Sequence, residues 1–176
     1  INYSYYIEAE YESGANIWSS IASINSHPVP LIVPDHCPQI STAIEFANPY
    51  ETILVKPGAY KEQLVIDKEI KLIGEAGPLK TKIFHNREND WYPIIKLNNC
   101  GQFTEISGFT ITSYVREWGD SAPQCVNFQK SESKLYNCVL KITREPELYY
   151  RNNTFRGNME LVSVNNSHVQ IRNCLM

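Results

Sequence analysis

Four acidic side chains in the middle of the chain have the type that glycoside cleavage requires. Glycosidases commonly use two carboxyl groups, one as general acid and the other as nucleophile or base. The candidates are Glu105, Glu117, Asp120 and Glu132. Their spacing is not diagnostic of a catalytic pair, and acids exposed in turns explain them more simply.

Large aromatic side chains form a second set of candidates, because an exposed ring can stack on a sugar or anchor a protein partner. Partial burial of the same rings beneath long loops is an equal alternative. The rings predicted to lie in or beside turns are Trp91, Tyr92, Tyr114, Trp118, Tyr149 and Tyr150.

The cysteines and histidines give no metal-site pattern, so the sequence predicts neither a metal nor a cofactor. The five cysteines are irregularly spaced, and the four histidines form no ligand-like spacing with them. An odd, sparse set is typical of reduced thiols in an intracellular protein. Asn-x-Ser/Thr triplets at Asn2, Asn152 and Asn165 leave secretion as the alternative.

Composition excludes several classes of protein. With 43% hydrophobic and 20% charged residues in 176, the chain is typical of one globular domain. A formal net charge of −3, with acids between the basic residues, argues against a nucleic-acid partner. No apolar run approaches the roughly 18 residues of a membrane span, so no membrane partner is expected.

Short apolar segments separated by turns dominate the chain from residue 31 onward. Strands are predicted over 31–33, 52–55, 63–66, 70–74 and 81–84, with a turn over 56–60. A short helix is predicted over 41–47, with Ser41 or Thr42 as its N-terminal cap. The turns are not the two-residue type that joins hairpins.

A phrase containing asparagine, often followed by cysteine, recurs at 97–100, 135–138, 150–153 and 171–174. Repetition at roughly twenty-residue intervals predicts a solenoid of stacked coils. Asn137 and Asn173 are then expected in the left-handed conformation at bends, with amides that bond to stacked neighbours. Cys138 and Cys174 are expected to pack inside the same corners.

The first thirty residues differ in composition from the rest and are predicted to form an N-terminal extension or cap. Within them, 9–26 has apolar residues at helical spacing, which predicts either a short amphipathic helix or a tail resting on the domain. Residues 31–176 form the predicted β-helix domain. The absence of an initiator Met indicates a fragment, a processed chain or part of a longer protein.

Residues 34–74 resemble the opening of right-handed parallel β-helix proteins of the pectin-lyase-like kind. Pectin methylesterases share this run, as do the carbohydrate-binding/sugar-hydrolase β-helix modules of F-box and spindle-associated adaptor proteins. The resemblance implies an all-β, right-handed parallel β-helix with a short N-terminal capping helix. It also implies a bend at Pro57 and Gly58 and a close turn at Gly74.

The C-terminal half resembles pectin methylesterase at 107–112, 124–128 and 157–162. The resemblance implies that Gln124 is an oxyanion donor and places Glu160 at the nucleophilic aspartate, although Glu160 is one methylene longer. The segment of the second catalytic aspartate is missing, and the expected arginine does not occur before Met176. The resemblance therefore implies an esterase that has lost its activity.

The β-helix F-box modules resemble the middle of the chain comparably well, at 125–128 and 137–142, and they require no catalytic residues. The chain contains no F-box, so ubiquitin-ligase function does not follow.

These observations predict a non-catalytic scaffold or protein-interaction module within a larger protein or assembly. The alternative is a polysaccharide-binding or pectin methylesterase-like domain. Met176 follows a strand pattern without the polar cap that a solenoid end requires. Further coils, a protein partner or another copy are therefore expected to cover that end.

Overall fold

Sixteen short strands and one helix occupy the part of the chain that the computed structural model describes, residues 8–9, 17–18, 30–86, 92–115, 124–144 and 160–176. In chain order they are β1 (Glu8–Ala9), β2 (Ile17–Trp18), β3 (Leu31–Val33), α1 (Ile40–Phe46), β4 (Thr52–Val55), β5 (Gly58–Lys61), β6 (Leu64–Ile66), β7 (Lys71–Gly74), β8 (Thr81–Asn86), β9 (Ile95–Asn98), β10 (Glu105–Ser107), β11 (Thr110–Val115), β12 (Gln124–Gln129), β13 (Glu132–Tyr136), β14 (Val139–Arg144), β15 (Glu160–Asn165) and β16 (His168–Arg172).

The strands from β3 onward form three parallel sheets, which the chain visits in turn. The first sheet has the order β3-β4-β7-β10-β13-β16, the second β5-β8-β11-β14 and the third β6-β9-β12-β15. Each circuit is one coil: β4 to β6 form coil 1, β7 to β9 coil 2, β10 to β12 coil 3, and β13 to β15 coil 4. β16 begins the next circuit. The chain is a right-handed parallel β-helix, which confirms the predicted fold class.

Parallel pairing in register stacks equivalent side chains into columns that fill the interior. Apolar residues on alternate positions of each short strand therefore meet their counterparts one coil above and below. The first-sheet column is Leu31, Ile53, Leu72, Ile106, Leu135 and Ile171. The second-sheet column is Tyr60, Ile83, Ile111 and Leu140, and the third-sheet column is Leu64, Ile95, Val126 and Val162.

Helix α1 takes the place of the second- and third-sheet strands after β3, and it packs against β3, β4 and β6. Ile40, Ala43 and Ile44 are buried beneath it. The predicted capping helix is thus confirmed, one residue earlier than expected. The predicted cap is wrong, because no side chain of the helix start caps it. Instead, the carboxylate of Glu62 accepts hydrogen bonds from the amides of Ile40 and Ser41, both at 2.9 Å.

The bend after β4 is shorter than the predicted turn over 56–60. β5 begins at Gly58 and pairs with β8 from there, so Pro57 lies in the bend while Gly58 is already a strand residue. β5 starts early because it pairs with β8. This long-range pairing cannot be predicted from the turn-forming residues at 56–60.

Gly74 is required by a close approach between coils. A Cβ atom there would collide with the carbonyl oxygen of Gly108, which lies one coil further on with a φ of 80°. Two facing glycines thus let adjacent coils approach closely at the corner between the first and second sheets, as expected for Gly74.

Asparagines occupy the left-handed conformation at successive corners, with φ values of 48° at Asn137 and 52° at Asn173. That prediction is confirmed. No side-chain hydrogen bond joins stacked asparagines among the described residues, so the expected amide ladder is not formed. Cys138 is buried in the corner, as predicted, whereas Cys174 is only partly buried.

The start of the chain contributes two strands of two residues each, β1 and β2, which pair antiparallel. Ala9, Ile17 and Trp18 therefore lie in strands, and the helical alternative over 9–26 is wrong at these positions. The rest of 9–26 lies outside the described residues. Within the described part of the chain, no helix is long and apolar enough to cross a membrane.

Candidate functional site

Gln124 and Glu160 lie side by side at the start of adjacent strands of the third sheet. β12 and β15 pair in parallel, with Gln124 opposite Glu160. The Nε2 of Gln124 donates a hydrogen bond to Glu160 Oε2 at 3.0 Å. The structure thus brings together the two residues that resemblance to an esterase had pointed to.

A third residue, Asn127, extends this pair. Its Nδ2 donates to Gln124 Oε1 at 3.0 Å. Because a carboxylate only accepts hydrogen bonds, Glu160 sets the orientation of the Gln124 amide, and Gln124 in turn sets that of Asn127. The Oδ1 of Asn127 is consequently left as a buried acceptor without a hydrogen-bond partner. Sequence reasoning missed Asn127, although its polarity between Val126 and Phe128 was a signal.

The hydrogen bonds of this arrangement are directed within it. An oxyanion donor directs an N–H toward the reacting carbonyl oxygen, and one of the two N–H groups of Gln124 Nε2 is directed at Glu160. Moreover, Asn127 Oδ1 is buried, so it is not presented to a substrate. No group of three or more His, Cys, Asp or Glu side chains that could hold a metal ion occurs among the described residues.

Of the four acids proposed for glycoside cleavage, the two that the structure describes do not assemble with Glu160. Glu105 lies in the first sheet opposite Lys71 and Lys134. Glu132 is exposed in the same sheet and accepts a hydrogen bond from Gln102 Nε2 at 2.9 Å. Glu117 and Asp120 lie outside the described residues.

Two of the six aromatic candidates lie in the part of the chain that the structure describes. Tyr92 is 60% exposed, and its carbonyl accepts from Gln63 Nε2. Tyr114 is half-buried, packs edge-on against Phe84 and accepts a 2.7 Å hydrogen bond from Lys82 Nζ. Trp91, Trp118, Tyr149 and Tyr150 lie outside the described residues. No common aromatic platform follows from the two rings described.

At the C-terminal end of the β-helix, two interior columns that every earlier coil buries end in exposed apolar side chains. The first-sheet column is 0% exposed at Ile106 and Leu135 but 36% exposed at Ile171. Val164 ends a third-sheet column at 47% exposure. Leu175 is 67% exposed and bridges to Val139, an outward, half-buried position of the second sheet. Met176 is 59% exposed. Val164, Ile171, Leu175 and Met176 are called the open end below.

Comparison with known proteins adds one distant structural likeness. No family model matches the chain, and no curated protein matches it. A solved structure of a pectin methylesterase in complex with a hexasaccharide is similar to it, with a TM-score of 0.43 and 14% sequence identity. The likeness covers 84% of this chain and 67% of that one. The three parallel sheets, rather than this likeness, define the class of protein, a parallel β-helix.

Proposed function

We propose that the protein is a non-catalytic β-helix module, within a larger protein or assembly, whose open end pairs with further β-strands. One observation carries the proposal: interior columns that are buried in the earlier coils terminate in exposed Val164 and Ile171 at the C-terminal end. Large apolar side chains clustered at one end of a solenoid mark an interaction surface.

The chemistry of the occupant follows from the sheet edges beside these side chains. β16, β15 and β14 are the terminal strands of the first, third and second sheets. The free side of an edge strand presents backbone N–H and C=O groups that an added strand can pair with. An occupant that supplies strands with apolar residues on alternate positions would satisfy the backbone and cover the columns together.

The Gln124–Glu160–Asn127 cluster supports the non-catalytic part of the proposal. Its hydrogen bonds are directed within the cluster, and the segment that carries the second carboxylate of the esterase pattern is missing after Ile142.

The open end is tested with the full chain by light scattering after size-exclusion chromatography and by fluorescence of an apolar dye. Without a partner, copies are expected to associate as concentration rises and to bind the dye. Ile171→Lys should lower both signals, because it places a charge at the end of the first-sheet column. His168→Lys adds the same charge at an exposed outward position of the same strand, and it should leave both signals unchanged.

A monomer at every concentration without dye binding would contradict the proposal, as would association that Ile171→Lys leaves intact. The non-catalytic part has a separate test, hydrolysis of methylated pectin. No turnover is expected, and turnover that Glu160→Gln abolishes would replace the scaffold proposal with the esterase one.

A further inference from the structure

A polar groove runs along one corner of the β-helix, where the third sheet passes into the first. Its volume is about 350 Å³, within the usual range for small-ligand sites. Coils 2, 3 and 4 each contribute two consecutive residues in register. The lining residues are Asn98, Asn99, Gln129, Lys130, Asn165 and Asn166. Five of the six side chains are amides, and the sixth is a cation.

The backbone amides of this corner are hydrogen-bonded by groups other than those six side chains. The amide of Asn99 donates to Gln129 O at 3.0 Å, and that of Lys130 donates to Asn165 O at 2.9 Å. Serine hydroxyls satisfy the next amides, since Cys100 N donates to Ser131 Oγ and Ser131 N to Ser167 Oγ. The stacked amide side chains are therefore not needed to bond the corner together.

Lys130 departs from the pattern of its own corner. Asn99, Lys130 and Asn166 all have positive φ, at 53°, 49° and 49°. Asparagine tolerates this conformation, whereas lysine adopts it rarely and under strain. An unfavourable residue held between two favourable ones points to a role for its side chain.

The ammonium group of Lys130 is also without a described partner. In coil 1, by contrast, Lys68 donates to the carbonyls of Glu45 and Ala47 at the end of α1. The nearby acid Glu132 accepts from Gln102 instead. Among the described side chains, the groove therefore combines one uncompensated positive charge with amides that both donate and accept hydrogen bonds.

From this combination we propose that the groove binds a small hydroxyl-rich anion, of the chemical class of sugar acids and sugar phosphates. The ammonium of Lys130 pairs with the anionic group. Asn99 and Asn166, one coil to either side, exchange hydrogen bonds with hydroxyls, because an amide matches their donor and acceptor together. This site lies at a different corner from the open end and does not depend on it.

The test is an NMR titration of the full chain, following the side-chain amide signals of the groove. The probes are glucuronate and glucose 6-phosphate. Glucose, which has the hydroxyls without the charge, and inorganic phosphate, which has the charge without the sugar, are the controls. At least one of the two sugar anions is expected to shift these signals with about tenfold tighter affinity than either control. Shifts from neither sugar anion at millimolar concentration, or equal shifts from inorganic phosphate, would overturn the proposal.

Lys130→Asn separates binding from folding. Asparagine suits the positive φ, so this variant should unfold at the same temperature as the parent or higher, while affinity falls about tenfold or more. Lys130→Arg should retain binding, and Lys134→Gln, which removes a charge from the first sheet, should not change it. Unaltered affinity in Lys130→Asn would refute the assigned role.

Discussion

The two ends of the β-helix differ in how far the apolar side chains of the interior columns are exposed. At the N-terminal end, Leu31 begins the first-sheet column with 2% exposure beside α1, whose Ile40 and Ala43 are fully buried. At the C-terminal end, Ile171 ends that column with 36% exposure, and Leu175 beside it is 67% exposed.

The difference shows what ending a β-helix requires. A helix satisfies its own backbone hydrogen bonds, so α1 can bury apolar side chains against the first coil without presenting a new strand edge. The strands at the other end offer both an edge and apolar side chains. The N-terminal end presents a helix in place of second- and third-sheet strands, with β3 as the terminal strand of the first sheet, whereas the C-terminal end presents terminal strands in all three sheets.

The largest effect is expected when the same substitution is made at an inner position and at the last position of the first-sheet column. Ile106→Ala should lower the free energy of unfolding by about 2–5 kcal/mol, because it leaves a cavity among fully buried neighbours. Ile171→Ala should cost about 1 kcal/mol or less, because its side chain is already partly in water. Denaturant unfolding of both variants measures the difference, and equal losses would show that the open end is covered in the isolated chain.

The next effect concerns the closed end. Glu62→Gln should lower the free energy of unfolding by about 1–2 kcal/mol, because a neutral amide offers only one acceptor to the two amides that begin α1. Glu45→Gln, on the exposed side of the same helix, is the matched control and should change it by less than about 0.5 kcal/mol. Thermal or denaturant unfolding checks both, and similar values for the two would contradict the role of Glu62.

The smallest expected effect concerns Cys138, near the open end, and appears only at alkaline pH. Burial raises the pKa of the Cys138 thiol from 9.0 to about 12. In the unfolded chain the thiol ionises first, so stability conferred by the neutral thiol should be complete below pH 9 and lost as pH rises toward 12. The pH dependence of unfolding should be shallower in Cys138→Ala over this interval.

Thiol labelling compares Cys138 with Cys174, the other cysteine near the open end. At pH 8, Cys174 should react with a disulfide reagent well before Cys138, because Cys174 is partly exposed whereas Cys138 is buried and neutral. Equal labelling rates would mean that the last corner opens readily.

Sequence reasoning located most of the elements that local signals define. The strand at Thr52–Val55 and the helix near residue 40 follow from apolar spacing, and the corners at Asn137 and Asn173 follow from the tolerance of asparagine for positive φ. The missed features join distant parts of the chain. Glu62 caps a helix more than twenty residues away, and Asn127 acquires its role only when Gln124 meets Glu160 across 36 positions.

The sequence by itself determined that the chain coils, because short apolar segments separated by bend-forming residues can bury themselves only by stacking. It also contained every residue of the groove without indicating that they line one. The tertiary structure decided which residues share a corner, since register between coils aligns Asn99, Lys130 and Asn166. It likewise decided which side chains of the interior columns are exposed, because exposure depends on what packs above a side chain and not on its identity.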